Sequence, residues 1–467
     1  MKVLKLLLFV LMCFPITKVW AQNEPLSELK FEEYLGWVKT FHPVAKQANI
    51  VLQQGESNLL RSRGAFDPKV EVDYQRKKFK GTEYYDKLNA VFKIPTWYGI
   101  ELKAKMDDNS GEYLNPEATV PNDGLYSAGV SFSLAEGLLI NDRMAQLKQA
   151  KLFKEQSKVE RDILVNELLY QASLAYFDWL MAYREVAIYK NFYENAVIRF
   201  EAVKKNVRAG DKPAIDSVEA NLAVQNRLLG MEQAKLNYTK KSLQLSNFLW
   251  WENDTPIVLQ PDATPQDIGK DLLDEVFQID GFALDTFSLE SHPKIQSLNY
   301  KADILDVERR LKLNKLLPKV SLEYNFYTET PEELNTLNTA NYFAGLQVSV
   351  PLFLRKERGE YQLAKLKLKD AEYDIVGTEV TLQNKIRESS AEIDSYETQK
   401  EVVTDLVANY KRMVEGEERK FSVGESSLFL VNSRETSYIQ SQMKANEIEN
   451  KLFSAQAKLF NILALNF

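Results

Sequence analysis

A short sequence motif occurs twice in the chain, and this repetition limits the folds that the chain can adopt. The run PKVEVDY at residues 68–74 returns 250 residues later as PKVSLEY at residues 318–324. A His-Pro dipeptide precedes each copy at the same interval, at residues 42–43 and 292–293. Because both a motif and its spacing recur, the sequence predicts one architecture that is built twice.

Each copy contains a second matching stretch, and all four stretches alternate between apolar and polar side chains. A period of two residues is typical of β-strands with one apolar and one polar face. The predicted strands comprise residues 69–77, 126–134, 319–327 and 341–350. The alternation suits a membrane barrel, although a half-buried sheet of a soluble protein alternates in the same way.

Long helices are predicted after the second strand of each copy. No proline or glycine occurs between Leu138 and Ala209, and apolar residues recur there at steps of three and four. At about 1.5 Å per residue, such a helix is on the order of 100 Å long. Gly210 and Gly424 mark the breaks that end the long helix of each copy. The predicted helices comprise residues 138–207, 214–250, 355–421 and 426–465.

The N-terminus has the pattern of a secretory signal peptide. Lys2 and Lys5 precede an apolar run, and cleavage is expected after Ala21. Cys13, the only cysteine, follows a bulky methionine, which disfavours a lipoprotein signal. The formal charge of the whole chain is −7, and an acidic chain is a poor candidate for binding nucleic acid. The predicted domains are the signal peptide at 1–21, a first repeat at 22–250, an irregular equatorial join at 251–291 and a second repeat at 292–467.

A membrane location is possible only through the strands. After residue 21 no run of 18 or more apolar residues occurs, so the sequence offers no transmembrane helix. Four strands cannot close a barrel, and open sheet edges are not tolerated in lipid. Several chains must therefore combine their strands if the protein spans a membrane.

The first copy carries an insertion between its two strands, at residues 78–125, which alternates at 88–106 like a β-hairpin. Two alternatives follow. The hairpin adds two strands per chain, which gives eighteen in a trimer, or it stands above the membrane on a four-stranded core. The sequence favours the four-stranded core, because the duplication supplies two strands per copy and because Lys87 and Lys93 suit a wet setting.

The sequence contains no recognisable catalytic or metal-binding motif. Its two histidines, His42 and His292, flank predicted helix starts, which favours a structural role over a role as ligands. No Gly-x-Ser-x-Gly elbow, phosphate loop or metal-spaced Cys/His cluster is present. We therefore predict no enzyme activity, no catalytic residue, no bound metal and no cofactor.

Two strands, a long helix, a tight turn and a returning helix, all duplicated behind a signal peptide, resemble the TolC-type outer-membrane efflux proteins. The resemblance covers residues 22–467 and rests on the proline-led strands and the glycine-centred turns. It implies an α+β membrane protein with an internal two-fold repeat. It also implies a trimeric transmembrane β-barrel with four strands per chain, continued into a long periplasmic α-helical barrel.

In this family the helix turns close the tunnel and dock on a periplasmic adaptor. The resemblance places the first turn at residues 207–216, where Asp216 matches an acidic family position, and the second at 421–433. Phe421 replaces a family tyrosine, and Leu430 and Ser433 replace aspartates of a constriction ring. Glu425 is the nearest substitute for that ring, although it is equally well interpreted as a solvated turn residue. The expected docking and tunnel-tip residues are Val207, Gly210, Asp211, Asp216, Phe421, Val423, Gly424, Glu425, Leu430 and Ser433.

The function that the resemblance implies is that of an outer-membrane exit duct in a tripartite efflux or type I secretion system. Its partners would be two further copies of the chain, outer-membrane lipid, a periplasmic adaptor and an inner-membrane RND or ABC transporter. The first alternative is a periplasmic coiled-coil scaffold, which explains the helices but not the strands. The second is a secreted enzyme with paired carboxylates, for which the sequence gives no specific signal.

Overall fold

The computed structural model describes residues 28–135, 139–277 and 288–465. The predicted signal peptide at 1–21 lies outside these residues. The described chain forms two compact units. The first unit comprises residues 28–37, 175–269 and 407–446, and the second unit comprises the other described residues.

Eight α-helices occur in the described ranges. They are α1 (Phe31–Phe41), α2 (Pro43–Arg63), α3 (Asp142–Ala209), α4 (Ala214–Ser246), α5 (Lys270–Phe277), α6 (Pro293–Asn314), α7 (Arg355–Ser422) and α8 (Leu428–Leu463). The four longest, α3, α4, α7 and α8, begin and end within four residues of the predicted bounds. None of the described helices has the length and apolar character that are needed to cross a lipid bilayer.

Ten strands occur in the same ranges, and four of them are only two residues long. The strands are β1 (Glu28–Leu29), β2 (Lys69–Phe79), β3 (Thr82–Pro95), β4 (Ile100–Ser110), β5 (Leu125–Ala135), β6 (Trp250–Trp251), β7 (Thr255–Pro256), β8 (Thr264–Pro265), β9 (Lys319–Thr328) and β10 (Tyr342–Ser349). The six long strands form one antiparallel sheet in the order β10-β9-β5-β4-β3-β2.

The expectation of a four-stranded core with a separate hairpin is wrong. The hairpin β3–β4 lies inside the sheet, where β3 pairs with β2 from Lys69↔Lys93 to Phe79↔Thr82 and β4 pairs with β5 from Ile100↔Phe132 to Asp107↔Leu125. Lys87 and Lys93 are opposite Gln75 and Lys69 on the polar face of the sheet. Their charges therefore indicate which face of the sheet contacts water. They do not indicate that the hairpin stands above the membrane.

The start of the described chain is anchored in the first unit by buried aromatic rings. The side chains of Phe31 and Tyr34 are fully buried, and each ring lies within 6 Å of the Tyr176 ring, at 5.1 and 5.6 Å between centroids. The Tyr176 hydroxyl donates a hydrogen bond to the Leu29 carbonyl at 2.6 Å and accepts one from the Gln266 amide at 3.1 Å. Burial raises the pKa of Tyr176, so this hydroxyl keeps its proton.

The structural interpretation of the two histidines is confirmed. His42 and His292 are the N-cap residues of α2 and α6, and each is followed by a proline at the first helical position. The Nδ1 atom of each ring accepts a hydrogen bond from a backbone amide two residues on, at 3.2 Å for Val44 and 3.0 Å for Lys294. The ring of His292 is buried, and its Nε2 lies 2.8 Å from the Ile462 carbonyl. The neutral ring with a proton on Nε2 satisfies both contacts.

Lowering the pH is expected to destabilise the second unit through His292. Burial lowers the pKa of this imidazole below its ordinary value, so the fold favours the neutral ring. The stability that follows from this preference is complete above the unfolded-state pKa of about 6.5. It is lost as the pH falls through the lower pKa of the folded state.

The replacement His292→Asn keeps a capping oxygen that does not titrate, so it should reduce the pH dependence of unfolding. Thermal unfolding of both proteins at about pH 8 and about pH 5 measures the difference. Equal losses of melting temperature on acidification in the two proteins would contradict the role of His292.

Candidate functional site: the helix turns and the polar sheet face

Two tight turns reverse the long helices, and both have the same backbone geometry. Gly210 follows α3 with a φ of 87°, and Gly424 follows α7 with a φ of 83°. Each turn has the two hydrogen bonds of a Schellman motif, which requires a left-handed residue and therefore favours glycine. The bonds are Gly210 N to Val207 O at 3.1 Å, Asp211 N to Asn206 O at 3.0 Å, Gly424 N to Phe421 O at 3.2 Å and Glu425 N to Lys420 O at 2.9 Å.

An apolar group of side chains, here called the tip cluster, joins the two turns within the first unit. Its buried members are Val203, Ala220 and Leu428, and Phe200, Val207 and Phe421 pack against them. In addition, the Lys212 Nζ lies 4.7 Å from the centre of the Phe421 ring, a cation–π contact between the first turn and the second. The structure therefore places the two turns side by side.

The residues predicted for adaptor docking divide into two groups. Val207 and Phe421 contact the tip cluster and are half-buried, and Asp216 is half-buried in the first turn of α4. The others are exposed: Gly210, Asp211, Val423, Gly424, Glu425, Leu430 and Ser433. Sequence reasoning missed Phe200, Lys212 and Leu428, although the apolar pair Leu428-Phe429 directly after the second turn was a usable signal.

A buried group of charges, here called the charge network, connects all four long helices in the first unit. Glu435 of α8 is 2% exposed and accepts two hydrogen bonds from the Arg199 guanidinium of α3, each at 3.2 Å. Arg227 of α4 lies 3.6 Å from the same carboxylate and donates to Thr436 at 2.8 Å. Glu418 of α7 binds Arg199 at 2.7 Å from the exposed side.

Burial lowers the pKa of Arg227, and the neighbouring Glu435 partly offsets that effect. The Nε atom of Arg227 is buried and has no hydrogen-bond partner among the described residues. Both arginines thus share one buried carboxylate, and Arg199 is paired in addition with the exposed Glu418.

The polar face of the sheet is the second candidate surface, and it lies in the second unit. Lys93 of β3 binds Glu71 of β2 at 2.5 Å, and Lys103 of β4 lies 3.5 Å from Glu323 of β9. At one end of this face, Arg143 at the start of α3 binds Glu101. A recess of about 400 Å³ lies there, between the strand ends and the start of α3. Lys93 and Glu71 pair between adjacent strands, and Lys103 reaches Glu323 across β5, so these opposite charges are paired on a face that can contact water.

Part of the sequence is similar to a known protein family. Residues 288–465 match the family described as outer membrane efflux protein. This stretch, about two fifths of the chain, is therefore similar in sequence to the outer membrane efflux proteins. The match confirms the resemblance that the strand and turn motifs indicate. No curated protein sequence matches the chain.

Solved structures of bacterial membrane channel proteins share the fold over nearly the whole chain. The Campylobacter jejuni CmeC outer membrane channel has 15% sequence identity and a TM-score of 0.64, over 93% of this chain and 85% of that chain. CusC has 12% identity and a TM-score of 0.68, over 93% and 91%. The outer membrane protein VceC from Vibrio cholerae has 11% identity and a TM-score of 0.65, over 93% and 96%. At these identities the similarity establishes the fold alone.

Proposed function

We propose that the chain is the outer-membrane exit duct of a tripartite efflux or type I secretion system. It passively conducts small molecules, metal ions or peptides from a periplasmic adaptor and an inner-membrane RND or ABC transporter to the exterior. The six-stranded sheet carries the proposal, because one of its faces is mainly apolar and the other mainly polar; the charged exceptions on the apolar face are Arg76, Asp86 and Asp108, near the β2–β3 turn. Such a sheet suits contact with lipid on one side and with water on the other.

The apolar face of the sheet is exposed in the single chain. Val70 on β2 and Leu346 on β10, at opposite edges, are 69% and 68% exposed. Exposing apolar surface to water costs a free energy of about 25 cal/mol per Å², so this face favours contact with lipid. The face also carries tyrosines, which are enriched where barrels meet the membrane interface. They are Tyr74, Tyr126, Tyr324 and Tyr342.

The two edges of the sheet favour assembly with further copies of the same chain. All residues of β2 are exposed, and all but one of β10 are exposed. Because six strands alternate in direction, these two edges run antiparallel to each other. The β2 edge of one copy can therefore pair with the β10 edge of the next in the same antiparallel pattern. A ring of copies closed in this way leaves no open edge in lipid, and the resemblance to the family suggests three.

A stripe of apolar residues on α4 supports the same assembly. Its members recur every seven residues and are exposed in the single chain: Ile215, Leu222, Leu229, Leu236 and Leu243. A heptad spacing is typical of helices that pack against a neighbouring helix along their length. A helix of an adjacent copy is the partner that this stripe fits.

Two charges on this stripe are expected to prevent trimer formation. Leu229→Glu with Leu236→Glu would place carboxylates in an apolar contact, where burying each charge costs several kcal/mol. Chemical cross-linking in detergent should then give monomers where the wild-type chain gives trimers. Glu232→Gln changes an exposed residue of the same helix and should still give trimers. Trimers of unchanged yield from the double variant would show that the stripe is not at the interface.

The two turns are the proposed contact for the periplasmic adaptor. They are adjacent, and the tip cluster holds them together. Two apolar side chains beside the turns are nevertheless largely exposed, namely Val423 and Phe429. Exposed apolar side chains on a rigid turn are suited to packing against the helices of a partner protein.

Membrane extraction and channel recordings test the proposed function directly. The duct should require detergent for extraction from the outer membrane and should conduct ions after reconstitution into a planar lipid bilayer. A periplasmic coiled-coil scaffold, the alternative function, would be released by osmotic shock and would not conduct. Recovery of the full-length chain in the osmotic-shock fraction would overturn the proposal.

A further inference from the structure

We infer that the hairpin β3–β4 is part of the membrane barrel and sets its width, so that three copies enclose an eighteen-stranded pore. This inference rests on the proposed function. It departs from the four strands per chain that the resemblance implies. It also identifies residues 82–110 as the segment that determines how large a solute can leave through the barrel.

The first support is the position of the hairpin in the sheet. β3 and β4 lie between β2 and β5 and separate two strands that would otherwise be neighbours. β3 has 14 residues and β4 has 11. A strand of about 9–11 residues is long enough to cross a bilayer at the usual tilt. Both strands of the hairpin therefore reach that length.

The second support is the continuity of the two faces across the hairpin. The register places Phe92 of β3 between Val70 of β2 and Ala104 of β4 on the apolar face. Between Leu88 and Met106, the apolar face of the hairpin carries no charged side chain: its members are Leu88, Ala90, Phe92, Ile94, Ile100, Leu102, Ala104 and Met106. If the hairpin stood in water, this apolar face would be exposed to solvent. If the hairpin is part of the barrel, the same face contacts lipid.

The polar face shows the complementary pattern. Between Lys87 and Asp107, the hairpin places its charged residues there, together with Asn89 and a single aliphatic residue, Val91, whereas Asp86 and Asp108 lie beyond this range on the apolar face. The charged residues are Lys87, Lys93, Glu101, Lys103, Lys105 and Asp107. Opposite charges meet across the hairpin boundaries, at Lys93–Glu71 and Lys103–Glu323. These side chains are suited to line a water-filled pore and would be costly in lipid.

One glycine allows the second of these ion pairs to form. Gly129 of β5 lies between Lys103 and Asn325 in the register, so the lysine must reach across β5 to meet Glu323. A Cβ at Gly129 would lie 2.0 Å from the Asn325 Oδ1 and 2.4 Å from the Tyr324 carbonyl oxygen. The bare backbone of β5 at this point leaves room for the cluster of Lys103, Glu323 and Asn325, which connects the hairpin to the second copy of the repeat.

The consequence for transport is a wider exit. The diameter of a β-barrel increases roughly linearly with strand number, so eighteen strands give about one and a half times the diameter of twelve at equal tilt. Barrels of 16–18 strands generally leave an aqueous channel. The solute class that this exit favours is hydrophilic and bulky, with a lumen wall of mixed charges that binds neither sign strongly.

Single-cysteine variants of the full chain test the position of the hairpin. The only native cysteine, Cys13, lies in the predicted signal peptide, so labelling of the chain without an introduced cysteine should be low. Asn89→Cys and Lys93→Cys should react with a membrane-impermeant maleimide on intact outer membranes. Ala90→Cys and Phe92→Cys should react only with a lipid-soluble maleimide. Ser131→Cys and Val130→Cys of β5 form the matched pair outside the hairpin.

The outcomes separate the inference from the proposed function. If labelling by the membrane-impermeant and the lipid-soluble maleimide alternates along both β3 and β5, the inference is supported. Alternation in β5 with uniform aqueous labelling in β3 overturns the inference and leaves the duct intact. Uniform aqueous labelling in both strands overturns the duct as well.

Electron microscopy of detergent-solubilised trimers provides a second measurement that does not depend on labelling. Wild-type barrels should show eighteen strands. A variant that lacks residues 82–110 should show twelve strands and a diameter smaller by about one third. Wild-type barrels with twelve strands would overturn the inference, whether or not the shortened variant folds.

Discussion

Glu435→Gln is expected to lower the free energy of unfolding by about 3–5 kcal/mol. Glu435 is almost fully buried, and its carboxylate neutralises Arg199 and Arg227, which come from two other helices. A glutamine of similar shape leaves both guanidinium groups without their buried counter-charge. Urea unfolding followed by circular dichroism at fixed protein concentration measures the loss.

A matched control is provided by the other carboxylate of the charge network. Glu418 also binds Arg199, but 46% of its side chain is exposed. Glu418→Gln should therefore cost less than about 1 kcal/mol, as exposed ion pairs usually do. Replacing Glu435, Arg199 and Arg227 together by Leu, Met and Leu should recover much of the stability, because no charge is then left buried. Similar losses from Glu435→Gln and Glu418→Gln would contradict the importance of burial.

The alternation of side chains was sufficient to predict the four strands outside the insertion, because each half-buried strand carries its own period of two. The same signal was present in the hairpin, at Leu88, Ala90 and Phe92. It was misjudged because Lys87 and Lys93 indicate water, and both the lumen of a barrel and the space above a membrane are wet. Only the pairing of β3 with β2 and of β4 with β5 distinguishes the two locations.

The turns were predictable for a local reason, and their surroundings were not. Gly210 and Gly424 stand alone between long stretches of helix-forming residues, and a helix end commonly requires glycine. The tip cluster depends instead on contacts between Val203, Ala220 and Leu428, which belong to three different helices. The pair Arg434-Glu435 likewise looks like ordinary helix-surface charge in the sequence. Its burial follows from the position of Arg199 and Arg227 on α3 and α4, which no local pattern records.

Gly424→Leu is expected to abolish export while the trimer still assembles and enters the membrane. The space around the Cα of Gly424 is open, because a Cβ added there would meet no heavy atom within 4 Å beyond the two chain neighbours. The replacement therefore causes backbone strain, on the order of 1–2 kcal/mol for a left-handed residue, without a steric clash inside the chain. Its main effect is a branched side chain on the exposed surface of the turn, where the adaptor is proposed to pack. Co-purification of the adaptor with the detergent-solubilised trimer measures the expected loss.

Gly424→Asn is the control variant, because it reduces both the backbone strain and the obstruction. Asparagine tolerates the left-handed conformation and adds a shorter, polar side chain, so this variant should retain most of the adaptor binding. Gly210→Leu tests the equivalent position of the first turn, where φ is 87° and the surrounding space is also open. Adaptor binding by the Gly424→Leu trimer at the wild-type level would place the docking surface elsewhere. Loss of the trimer itself in Gly424→Leu, but not in Gly424→Asn, would instead show that the second turn is needed for assembly, because asparagine tolerates the left-handed backbone and leucine does not.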